Sequence, residues 1–112
     1  MKKRRAGVGV GSGNVFADLG FENAEEELTK ASLTAAIAKA IKRRRFKNQS
    51  VAAGVLGIDQ PKVSKLLRGH FAEYSVERLL SFLTRLGCDV KIEVADHAQT
   101  RRPGHLEVVE AA

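Results

Sequence analysis

The chain has 112 residues, 44% of them hydrophobic and only 5% aromatic, with a net charge of +6. That length suits one domain with a modest core built from Leu, Ile, Val and Ala, and no apolar run approaches the roughly 20 residues that span a bilayer. One cysteine excludes an internal disulfide framework and fits a reducing, cytoplasmic setting.

Residues 1–13 carry a basic run, Lys2 to Arg5, then a Gly-rich stretch, and are expected to form a flexible arm. Gly and Ser follow the charges instead of an apolar stretch, which argues against a secretory signal. The glycines of "GVGVGSG" lack the third position of a phosphate-binding loop, filled here by Ser12 and Asn14, and no GK[ST] follows. A short turn is expected over 14–21, with Val15, Phe16, Leu19 and Phe21 packing on the body. Asn23 and Glu26 have capping-box spacing, and the helix they open runs to about Arg44 with Leu33, Ile37 and Ile41 on one stripe and Leu28 and Ala40 nearby. Its end is crowded with cations, six within residues 39–47, more than the helix dipole alone explains.

Asn48 can cap a second helix, Gln49 to Leu56, ended by Gly57. Asp59 caps a third, with Pro61 in its first turn and Gly69 just past its end. Ser75 caps a fourth, on which Val76, Leu79, Leu80, Leu83 and Leu86 recur at helical spacing up to Gly87. From Cys88 to Val94 apolar and charged residues then alternate strictly, the pattern of a half-buried strand. Residues 96–112 read as a flexible tail.

Two eight-residue helices joined by Gly57-Ile58-Asp59 make a helix-turn-helix if they cross steeply. Ala53 and Gly57 then sit at the crossing and Ile58, Val63 and Leu66 face the core. Gln60, Lys62, Ser64 and Lys65 are left on the outward or leading face, where amide, hydroxyl and ammonium groups suit base edges in a major groove. Arg45, Lys47, Gln49 and Arg68 are the expected phosphate contacts. Between Lys39 and Arg68 stand nine basic residues and one acid, Asp59, a block of +8 that points to a polyanionic partner, double-stranded DNA first.

"QSVAAGVLGIDQPKVSKLLRG" resembles the helix-turn-helix of the Xre family, the lambda-repressor-like and Cro-like regulators, with Gln49, Ala53, Gly57, Val63 and Leu66 at its signature positions. The flanks "GSGNVFADLGFENAEEELTKASL" and "YSVERLLSFLTRLGCDVKIEV" resemble the HigA-type antitoxin branch, so the likeness covers about residues 11–95. Pro61 departs from the pattern, standing where relatives often place a polar base-reading residue. The resemblance implies a mainly α, lambda-repressor-like bundle of four to five helices over residues 14–95 and an autorepressing transcriptional regulator with a cognate toxin as partner. A stand-alone Xre repressor without a toxin and a helix-turn-helix protein-interaction module are the alternatives. The strand over 88–95 needs a neighbour for its ladder, either 106–110 in a hairpin or the same strand of a second chain. The second is favoured, with Val90, Ile92 and Val94 at the dimer contact and a palindromic operator as the target. No catalytic set, metal site or cofactor is expected, since Cys88 has no local base and His70, His97 and His105 lack ligand spacing.

Overall fold

In a computed structural model of the chain, residues 23–97 and 104–111 are described. Residues 30–91 form one compact unit, and the remaining described residues fall in a second. The arm expected at 1–13 and the turn at 14–21 lie outside the described residues.

Four helices follow one another: α1 (Asn23–Arg44), α2 (Gln49–Leu56), α3 (Gln60–Leu67) and α4 (Val76–Arg85). On α1, Glu25 and Glu26 occupy the first turn and Lys42, Arg43 and Arg44 the last, each complementing the helix dipole. Leu33, Ile37 and Ala40 are buried, the i, i+4, i+7 stripe expected of a core-facing helix. Leu28 departs from expectation and is 63% exposed. It stands five residues before Leu33, about 140° round the helix from it.

The three shorter helices start on side-chain caps. Asn48 Oδ1 accepts from the Val51 amide at 3.1 Å, Asp59 Oδ1 from Lys62 at 3.0 Å and Ser75 Oγ from Arg78 at 3.1 Å. Each bond satisfies an amide that the helix itself leaves unpaired. The turn after α2 relies on Gly57 at φ +76°, whose amide donates to the Ala53 carbonyl at 2.8 Å. A side chain there would be strained in this left-handed conformation.

Helix α2 packs against both α3 and α4. Ala52, Leu56, Val63, Leu66, Leu79 and Phe82 are almost wholly buried and form the centre of the core. Burying a Leu or Phe completely contributes about 1.5–3 kcal/mol each, so this small cluster carries much of the fold. Phe82 lies on the buried face of α4 where the sequence reading had placed Val76 and Leu80, both only half-buried. Its ring meets the Tyr74 ring edge-on, with centroids 5.3 Å apart.

The C-terminal strand is corrected by the structure. Among the described residues there is no strand, neither over 88–95 nor over 106–110, so the hairpin does not form. An extended segment registers as a strand only when a neighbour completes its hydrogen bonds, and between described residues none of the backbone groups from 89 to 97 finds one. The Cys88 amide alone is engaged, donating to the Leu83 carbonyl at 3.0 Å past the end of α4. Cys88 itself is half-buried.

Candidate nucleic-acid interface

Helix α3 is two-sided. Val63 and Leu66 are buried to within 1%, while Gln60, Pro61, Lys62, Lys65 and Arg68 are exposed and Ser64 is half-buried. Pro61, Lys65 and Arg68 follow i, i+4, i+7 spacing and make the outermost stripe, flanked by Gln60 and Ser64 on one side and Lys62 on the other. Of the four expected base-reading residues, three therefore stand on the open surface. Ser64 is already occupied, because its Oγ accepts from Arg68 Nη1 at 2.7 Å. That bond couples Arg68, expected only at the backbone, to the reading stripe. Asp59, the lone acid of the basic block, has its carboxylate tied to the Lys62 amide, so it caps α3 and does not reach across the cationic face.

Arg45, Lys47 and Gln49 are all exposed around the link from α1 to α2. Arg45 has φ +53° and is the single described non-glycine residue with a left-handed backbone, a conformation that costs an ordinary residue about 1 kcal/mol or more. It lets the chain leave α1 within one residue, three residues before the Asn48 cap that opens α2. There the unpaired amides and the positive end of the dipole favour an anion.

The cations of the block are not equivalent. Arg44 Nε donates to the Leu86 carbonyl at 2.6 Å, and Arg85 Nη1 reaches the Leu56 carbonyl at 3.4 Å. Each guanidinium binds a carbonyl at a helix C-terminus, where the dipole leaves negative charge. Both crossed ties escape a sequence reading, since they join residues 42 and 29 positions apart. The available signal was local: an Arg in a last turn, with a glycine closing the helix it reaches. Arg78 is likewise engaged, lying over the Phe82 ring at 4.9 Å from its centroid, a cation–π contact. Lys62 and Lys65 have no such inward role and project freely.

Of the residues expected at a dimer contact, Val90, Ile92 and Val94 are 38%, 74% and 80% exposed. Among the described residues no three His, Cys, Asp or Glu side chains converge as a metal site would require, and no helix is long and apolar enough to cross a membrane.

Comparison with known proteins places this geometry. A family model described as a helix-turn-helix domain matches residues 15–95. A solved structure named as an XRE family transcriptional regulator is 40% identical and superposes with a TM-score of 0.72, over 80% of this chain and 100% of its own. No curated protein matches the chain.

Proposed function

The chain belongs to the helix-turn-helix family, in its XRE branch, and from that premise we propose that it is a sequence-specific DNA-binding transcriptional regulator, not an enzyme. Helix α3 enters the major groove, Gln60, Lys62 and Lys65 meet base edges, and Ser64 acts together with Arg68. Arg45, Lys47 and the N-terminus of α2 with Gln49 hold phosphates on either side of the groove. The observation that carries this reading is the outward face of α3: amide, ammonium and guanidinium groups on a buried Val63–Leu66 base, with the nearest carboxylate tied up as a cap. A protein-interaction module would have no use for a +8 block there.

Two finer readings go with it. The regulator acts as a homodimer on a palindromic operator, its two copies joined through residues 88–95, which leave Ile92 and Val94 in water when the chain is alone. It is also the autorepressing antitoxin of a toxin–antitoxin pair, a reading supported by the HigA-like flanks and tested by co-purification with the product of the adjacent reading frame.

Salt dependence tests DNA binding directly. About six neutralised phosphates predict a log–log slope near −5 for operator binding, and a flat response would defeat the reading. Removing residues 88–112 should leave a monomer that binds operator poorly.

A further inference from the structure

Residues 89–95 carry a self-complementary pattern, and we infer that two copies of this chain pair there antiparallel with the two-fold axis through Ile92. The inference rests on the homodimer reading and adds its register. Among the described residues Asp89 to Val94 lie outside any ladder, and the apolar side chains of that stretch stand in solvent, Ile92 at 74% and Val94 at 80%. Lys91 and Glu93 are exposed between them. Unpaired backbone beside exposed apolar side chains is the condition under which a strand accepts a second strand.

Few registers are open. Residues directly opposite in an antiparallel pair share a face. An axis falling between two residues from Val90 to Glu93 would therefore oppose Ile92 to a charged residue, and one between Glu93 and Val94 would set those two against each other. An axis through Lys91 or Glu93 sets like charges against each other at its centre. An axis through Val94 opposes Ile92 to the partner's Asp96. An axis through Val90 would match Asp89 to the partner's Lys91, but it needs Leu86 and Gly87 to extend the strand. Those residues close α4, with Leu86 buried, Gly87 at φ +88° and the Cys88 amide bonded back to Leu83.

Through Ile92 every requirement is met. Ile92 opposes its own copy, Val90 opposes Val94, and on the other face Lys91 opposes Glu93 twice over by symmetry. The paired stretch, 89–95, begins where the helix cap releases the chain.

Charge exchange reads the register. Lys91→Glu and Glu93→Lys each set like charges opposite one another at both symmetric positions, and each should raise the dimer dissociation constant about tenfold or more in sedimentation. The double variant K91E/E93K restores the pairs and should recover wild-type dimerisation. In a Cys88→Ser background, Ile92→Cys should form a disulfide-linked dimer on mild oxidation. Val90→Cys, about 13 Å from its own copy in this register, should not. Single charge variants that dimerise like wild type, a double variant that fails to recover, or cross-linking through position 90 instead of 92 would overturn the register. A wild-type chain that stays monomeric would overturn the homodimer as well. Salt-sensitive binding of duplex DNA by the same samples reports on α3 separately, so failure at the edge is distinguishable from failure of the DNA reading.

Discussion

Helices α3 and α4 begin alike and end up doing opposite things. Each opens on a side-chain cap with nearly the same backbone, φ −80° and ψ 164–165°, and each carries two cations. On α4 the cations turn inward, Arg78 onto the Phe82 ring and Arg85 onto the Leu56 carbonyl, and Leu79, Phe82 and Leu83 are buried. On α3 two residues anchor the helix and Lys62 and Lys65 stay in solvent. A charge that closes a helix end is unavailable to a ligand. Counting basic residues therefore overstates the binding surface, and the structure separates those that build the scaffold from those that face outward.

The widest separation between the two helices should come from their anchors. Phe82→Ala removes a wholly buried ring and should cost about 3–5 kcal/mol of folding stability by denaturant titration. DNA affinity should fall only through the unfolded fraction. On α3 the pattern reverses. Lys62→Ala or Gln60→Ala should leave the melting curve in place while costing about 1–3 kcal/mol of operator binding and relaxing preference at one base position. Equal losses on operator and random DNA would demote these residues to phosphate contacts. Arg85→Ala is the control, expected to lower stability and leave DNA binding unchanged in the folded protein.

A third change touches the helix against which both pack. Gly54 sits exposed in α2 with nothing within 4 Å of where a Cβ would stand. Gly54→Ala should therefore stabilise the fold by about 0.5–1 kcal/mol and raise the melting temperature without altering affinity. The structure gives no reason for a glycine at that position.

The smallest effect concerns Tyr74, packed against α4 through Phe82. Among the described residues its hydroxyl is buried without a partner in hydrogen-bonding geometry. Burial, and then the Glu73 carboxylate, raise its pKa above the ordinary value of 10.0. The unfolded chain thus loses this proton first. Tyr74 contributes its full stability below about pH 10, and stability declines as pH rises from there through the folded pKa. Absorbance titration of the chain's single tyrosine should show the upward shift, and Tyr74→Phe should remove this part of the alkaline loss.

Much of the helical unit was legible in the residues because its signals are local. Asn48, Asp59 and Ser75 cap the helices they precede, and Gly57, Gly69 and Gly87 adopt the left-handed turns that end them. A cap needs only the next three amides and a terminating glycine only its own φ, so neighbouring sequence suffices. The expectation for α4 was weaker because aliphatic periodicity took in Leu80 and passed over Phe82, which lies about 160° round the helix from it on the buried side. Leu28 was placed by composition and not by angle.

Around α3, sequence spacing alone separated Val63 and Leu66 from Gln60, Lys62 and Lys65, since 3.6 residues per turn leaves little choice once the core face is known. It did not reveal that the Ser64 hydroxyl is held by Arg68, or that Arg44 and Arg85 fasten helix ends far along the chain. Those contacts depend on where elements distant in sequence come to rest. The alternation from Cys88 to Val94 shows the same division. Period-two patterning specifies which side chains share a face, but a strand exists only where a second backbone supplies its hydrogen bonds, and among the described residues of a single chain none does.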